Sequence, residues 1–136
     1  MNFDINLLRK QVNEIFDEIV SLRREIHSHP ELSEKETGTE ALICGFLDKL
    51  QIPYRKDVAG HGVCAEIRGQ NMQKSVAIRA DIDALPVSEK TGLPYASLNA
   101  GVMHACGHDM HTAILLGVAK ILKANEADLP GTVKLL

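Results

Sequence analysis

The sequence predicts an α/β fold, on three observations. Apolar residues recur every three or four positions from Ile5 to Ile26, which is helical spacing. From Val63 the spacing drops to two, as in a strand with one buried face. A long apolar helix pattern from about Asp109 to Asn125 then gives way, after Pro130-Gly131, to the strand pattern Thr132-Val133-Lys134-Leu135-Leu136. With 136 residues the chain suits one domain with its own core.

The first helix runs over 4–28. Ile5, Leu8, Val12, Ile15, Ile19, Leu22 and Ile26 form one stripe, Asp4 stands as N-cap, and Pro30 disfavours helical geometry at His29. A second helix is predicted from Ser33, because Ser33-Glu34-Lys35-Glu36 reads as a capping box. Leu42, Ile43, Phe46, Leu47 and Leu50 give it a buried face, and Pro53 marks its far end. Val63, Ala65 and Ile67 alternate with Cys64, Glu66 and Arg68 in a strand that ends at the turn Gly69-Gln70-Asn71. Residues 75–80 (SVAIRA) read as a second strand, and their apolar density predicts a central position. Asp81-Ile82-Asp83 then falls at the carboxyl end of that strand, where ligand and catalytic groups collect in open α/β sheets. Residues 84–103 read as loop, broken by Pro86, Gly92, Pro94 and Gly101. In the third helix Met110, Ala113, Ile114, Val118, Ile121 and Leu122 are apolar on most sides, which predicts deep burial. The last strand stops in apolar residues with no cap or polar tail, an ending expected of a fragment of a longer protein.

Composition excludes several classes of function. The 15 basic and 18 acidic side chains leave a formal charge of −3, with no surplus for nucleic acid or an anionic membrane. Aromatic residues make up only 4%, which argues against a base-stacking platform. The start lacks a basic region followed by an apolar run, so no secretory signal is read, and no apolar stretch nears the roughly 20 residues that span a bilayer. Cys44, Cys64 and Cys106 are odd in number and widely spaced, which suits a reducing cytoplasm rather than a disulfide framework.

The chemistry is concentrated in residues 102–112, VMHACGHDMHT. His104, Cys106, His108 and His111 lie within eight residues, and thiolate with imidazole is a donor set that Zn²⁺ and similar ions prefer. Cys106 and His108 can face one cavity only where the backbone is not yet helical, a freedom that Gly107 supplies. The start of the third helix adjoins them and favours an ionised thiol. Composition alone leaves this open: histidines near a helix start also serve as ordinary hydrogen-bonding groups. His104-x-x-x-His108 has the spacing of zinc proteases, but Ala105 stands where their glutamate would be. Asp81 and Asp83, two apart on an extended chain, point the same way. An isolated D-x-D is more simply an Asx turn, yet both clusters fall at one edge of the sheet. His27-Ser28-His29-Pro30-Glu31 reads as a structural helix end, with histidines favoured by the dipole. Cys44 and Cys64 read as small buried residues.

Three segments together resemble one family closely: LRREIHSHPELS at 22–33, IRADIDALPVSE at 78–89 and VMHACGHDMHTAILLG at 102–117, with GTVKLL at 131–136 also in keeping. They resemble the metal-dependent amidohydrolases, the hippurate hydrolases, N-acyl-amino-acid deacylases and auxin-conjugate hydrolases, relatives of zinc carboxypeptidases and aminoacylases. The resemblance implies a three-layer, mixed-sheet metallohydrolase catalytic domain, of which residues 1–136 would be the N-terminal part, without the inserted dimerisation domain and the C-terminal half. It implies two divalent metal ions (Zn, Mn, Co or Ni) in the full-length protein, with Cys106 a ligand shared by both and His108 a ligand to one. Asp83 would be an orienting carboxylate beside them. Asp81 stands where distant relatives carry a metal-binding histidine and is not assigned, and the roles of His104 and His111 stay open. The general base and the remaining ligands would lie downstream. The implied reaction is hydrolysis of an amide in an N-acyl amino acid or similar small molecule by a homodimeric full-length protein, the 136-residue chain itself being inactive and binding metal weakly or not at all. Two rivals remain: a hydrolase with Cys106 as nucleophile, and a non-catalytic truncated module.

Overall fold

The computed structural model describes residues 4–136. Its elements run α1 (Ile5–Ser28), α2 (Thr37–Lys49), β1 (Tyr54–Val58), β2 (Gly62–Ile67), β3 (Ser75–Ile78), α3 (His108–Ala124), a short 3₁₀ turn (Glu126–Asp128) and β4 (Thr132–Leu135). The strands make one mixed sheet in the order β1-β2-β4-β3. β1 and β2 form an antiparallel hairpin, β2 and β4 are antiparallel, and β3 and β4 are parallel, with Val76 opposite Val133 and Ile78 opposite Leu135. The parallel pair needs a crossover, and α3 is its helix. The α/β class read from the sequence is the observed one.

One face of the sheet carries the core. Ala65 and Ile67 of β2 and Val133 and Leu135 of β4 pack against Ile43, Phe46 and Leu47 of α2 and Leu116 and Ala119 of α3. Complete burial of each such large side chain contributes about 1.5–3 kcal/mol. α1 rides on α3 instead of the sheet: Ile15 and Ile19 close on Gly117, where a β-carbon would stand 3.2 Å from Ile19 Cγ1. At the end of β2, Gly69 passes so near the chain at Leu129 and Gly131 that a β-carbon would lie 2.3–2.4 Å from their carbonyl oxygens, so only glycine fits. No helix of the described residues is long and apolar enough to cross a membrane.

Asp4 caps α1 as expected, its Oδ1 accepting from the amides of Asn6 and Leu7 at 2.9 and 3.4 Å. The stripe on α1 is buried only towards its far end: Ile26 is inside, whereas Ile5 and Val12 are exposed. The capping box at Ser33 is not formed. α2 begins at Thr37, and its cap is Glu31, which accepts from the amides of Gly38 and Thr39 at 2.9 and 2.7 Å and from the Thr39 hydroxyl at 2.8 Å. Glu31 wins because both of its oxygens reach amides that Ser33, turned outward, does not. The strand 75–80 stops at Ile78 and lies at a sheet edge, not centrally, with Val76 60% exposed. Its apolar run fits a buried strand, but the inner positions go to β2 and β4. β1, a polar strand, had no signal in the sequence; pairing with β2 supplies its order.

Glu40 ties α2 to the β1–β2 turn. Its carboxylate accepts from the Asp57 amide at 2.8 Å and meets His61 Nδ1 at 3.2 Å. The Asp57 amide, opposed by partial burial and helped by His61, holds the Glu40 carboxyl below the ordinary value.

Candidate metal centre

The carboxyl end of β3 and the start of α3 do meet. Thr112 of α3 donates its hydroxyl to the Asp81 carbonyl at 3.1 Å, and the Ala80 amide pairs with Leu136 across the sheet edge at 3.0 Å. This docking brings the loop 79–83 against the segment that carries the histidines. His108 Nδ1 then faces two oxygens of Asp83, the carbonyl at 3.0 Å and carboxylate Oδ1 at 2.9 Å. Both are acceptors, so Nδ1 is the protonated nitrogen and donates. Nε2 is left as the lone-pair nitrogen, the arrangement found in metal-ligating histidines.

Gly107 makes the turn that the spacing requires. Its φ of +84° places it in the left-handed region at the N-cap of α3, and a side chain there would meet nothing within 4 Å. The constraint is conformational, not steric. Cys106 precedes this turn, is exposed and carries a free thiol. His108 is the first residue of α3 and is half-buried. The donor chemistry therefore fits a divalent ion: an accessible thiol and an imidazole with its second nitrogen fixed by a carboxylate stand two residues apart.

The other sequence candidates fall differently. Asp81 does not join Asp83; it faces solvent and pairs with Arg79 Nη2 at 2.6 Å. His111 is exposed, one turn along α3, with its ring centroid 6.1 Å from that of His108. His104 is buried, and neither ring nitrogen has a hydrogen-bond partner among the described residues. Burial pushes its imidazole down from the ordinary value. Among the described residues, Cys106 and His108 are not part of any group of three or more potential donors; the one such group is Glu40, Asp57 and His61. A cavity of about 600 Å³ opens between the sheet and α2, lined by Ile43, Leu47, Val63, Leu116 and Leu135, with Asp81 and Asp83 at its border. Cys106 and His108 do not line it.

A polar cluster lies behind the loop. Asp109, fully buried in the first turn of α3, lies 2.7 Å from His27 Nδ1 and 2.8 Å from Arg23 Nε. Glu89 Oε1 approaches the other ring nitrogen of His27 at 3.3 Å. The Thr91 hydroxyl, then the Ser97 amide and His27, hold the Glu89 carboxyl below the ordinary value. The local signal was slight: a lone aspartate inside an otherwise apolar helix, and Arg23 and His27 one turn apart on α1.

Comparison with known proteins finds relatives over most of the chain. The model of peptidase family M20/M25/M40 matches residues 77–136. An N-acetyl-L-cysteine deacetylase of Bacillus subtilis is 50% identical over 119 residues, 88% of this chain and 29% of that protein. An IAA-amino acid hydrolase of Arabidopsis thaliana is 45% identical over 123 residues, 90% of this chain and 28% of that protein. A crystal structure from Bacillus subtilis, a dinuclear metal binding peptidase of the M20 family, superposes with a TM-score of 0.86 at 44% identity, over 90% of this chain and 34% of that one. The chain thus spans about a third of the length of the relatives it matches. Over the residues they share, it resembles members of peptidase family M20/M25/M40.

Proposed function

We propose that this chain forms the first part of the catalytic domain of a metal-dependent amidohydrolase, and that Cys106 and His108 are two of its metal ligands. The observation that carries the reading is the Asp83–His108 contact, 2.9 Å from Oδ1 to Nδ1, which presents Nε2 as a donor beside an exposed thiol. Asp83 orients the ring; it does not itself need to touch the ion. Two divalent ions held there, of Zn, Mn, Co or Ni, would supply Lewis acidity toward a scissile carbonyl and the attacking water. Gly107 lets thiol and imidazole approach from one side, and α3 presents its positive end to the thiol. The substrate class is a small N-acyl amino acid, in keeping with relatives named for N-acetyl-L-cysteine and IAA-amino acids. General base, further ligands and dimer contacts belong to the two-thirds of the relatives' length that this chain does not span. The 136 residues alone hydrolyse nothing on this reading.

The test uses the complete protein. A chelator abolishes hydrolysis of N-acyl amino acids, and Zn²⁺, Mn²⁺ or Co²⁺ restores it. Activity that persists with metal shown to be absent, yet is lost to iodoacetamide, would make Cys106 a nucleophile instead.

A further inference from the structure

We propose that His27 is a positioning residue for the 104–109 loop: it anchors the first turn of α3 through Asp109, with Glu89 holding the ring from its other side, and so sets the affinity of Cys106 and His108 for metal. The inference rests on the reading of those two residues as ligands, but its structural half stands without it.

The geometry is that of a clamp. His27 is 2% exposed at the end of α1, and its two ring nitrogens face two carboxylates from distant parts of the chain. Nδ1 meets Asp109 Oδ2 at 2.7 Å, 82 residues away, and Nε2 meets Glu89 Oε1 at 3.3 Å, 62 residues away. The side chains of Asp109 and Glu89 are 0% and 4% exposed. Arg23 Nη2 lies 3.2 Å from Nδ1, but both are donors once Nδ1 serves Asp109, so the guanidinium acts as a neighbouring charge toward Asp109. Tyr95 and His104 close the cluster, their ring centroids 5.8 and 6.4 Å from that of His27.

Asp109 directly follows His108. Its side chain is fixed inside while the His108 ring is fixed by Asp83, so two consecutive residues at the start of α3 are anchored in opposite directions, inward on α1 and outward on the 79–83 loop. Glu89 in turn holds the Thr91 hydroxyl and, at 2.6 Å, the Ser97 amide, which orders the stretch leading into the metal-binding segment. Without His27, buried Asp109 keeps only the Arg23 guanidinium, and the loss of one of two partners leaves part of its desolvation penalty uncompensated. Loss of His27 should therefore release the loop on which Cys106 sits, rather than unfold the sheet.

The two nitrogens can be tested apart. In His27→Asn the amide nitrogen stands near the position of Nδ1 and keeps the Asp109 contact; in His27→Gln it stands near Nε2 and keeps the Glu89 contact. The first arm measures amide hydrogen exchange in the metal-free chain. His27→Gln is expected to lower protection at Met103, Gly107, Met110 and His111 about tenfold or more, with β2 and β4 unchanged and His27→Asn near wild type. The second arm titrates Zn²⁺ into the metal-free complete protein while NMR follows Cys106 and His108. His27→Gln should weaken binding by about 10–100-fold, the usual effect of losing an outer partner of a ligand, again with His27→Asn near wild type. Equal losses in both variants, or a fall in protection spread over β2 and β4, would reduce His27 to a core residue and overturn the proposal. If wild-type exchange shows the clamp but Zn²⁺ shifts neither Cys106 nor His108, the ligand reading fails and the clamp survives; if Zn²⁺ binds equally well to both variants, the reverse holds.

Discussion

Glu31 offers the sharpest prediction about what holds this fold. It lies outside α2, yet accepts two of that helix's first free amides and the hydroxyls of Thr39 and Thr37, at 2.7–3.3 Å. Loss of a capping acceptor costs typically about 1 kcal/mol. Two amides bonded to one charged acceptor put Glu31→Ala at about 2 kcal/mol. At an unfolding entropy of about 2.1 cal/mol/K per residue over 136 residues, this lowers Tm by about 7 °C. Glu31→Gln keeps an oxygen but no charge and should lose about half as much. The pH dependence gives a second check. Burial alone would push the Glu31 carboxyl up, but the bonds from Gly38, Thr39 and Thr37 outweigh it and leave the group below its ordinary value. A depressed carboxylate stabilises the fold above its unfolded-state pKa, and that stabilisation is lost as pH falls through the folded value. The gap between wild type and Glu31→Gln in thermal unfolding should therefore be complete at neutral pH and should narrow below about pH 4.5, the ordinary value. A variant as stable as wild type at neutral pH, or a gap of constant size into strong acid, would refute the reasoning.

Four further substitutions probe the core, the sheet edge, the turn and the site. Leu47→Ala, at a position 2% exposed, should cost about 2–5 kcal/mol in urea unfolding, whereas Val76→Thr on the exposed edge strand should stay within about 0.5 kcal/mol; equal costs would contradict the placement of β3 at the sheet edge. Gly107→Ala introduces a β-carbon that meets nothing but must adopt φ +84°, so a loss of about 1–2 kcal/mol in the same assay is expected; no loss would mean that the turn relaxes. Asp83→Ala removes the carboxylate that fixes His108 Nδ1 and should weaken Zn²⁺ binding by about 10–100-fold in calorimetric titration of the complete protein, with Tm little changed; unaltered affinity would remove Asp83 from the site.

Much of this was legible because it is local. The period of α1, the Asp4 cap, the extent of α3 and the alternation of β2 are short-range signals, and short-range physics fixes them; the deep burial expected of α3 fails at Met110 and Ile114, which are 49% and 53% exposed. The meeting of Asp83 with His108 was also legible, since both sit at element ends that the βαβ connection must bring together. The rest depends on competition at a distance. Ser33 and Glu36 spell a capping box, but Glu31 reaches the same helix with two oxygens. The run Val76-Ala77-Ile78 is as apolar as a central strand, yet sheet order is decided by pairing, which composition does not record. β1 has a polar middle, Arg55-Lys56-Asp57, and becomes a strand only beside β2. The His27–Asp109–Glu89 cluster joins residues 62 and 82 positions apart, and no periodicity reports such a pairing. Asp81 and Asp83, alike in sequence, part because one meets Arg79 and the other His108.

The central claim is that Cys106 and His108 hold a divalent ion in the orientation that Asp83 sets. The most direct test is a Zn²⁺ titration of the metal-free complete protein, with NMR following the backbone amides of residues 79–112 and the histidine ring nitrogens. The account predicts shifts centred on 104–111 and Asp83, with His108 Nε2 the nitrogen that moves, and their loss in Cys106→Ser and His108→Gln. No shift in this segment, or a shift of the His61 ring nitrogens instead, would contradict it.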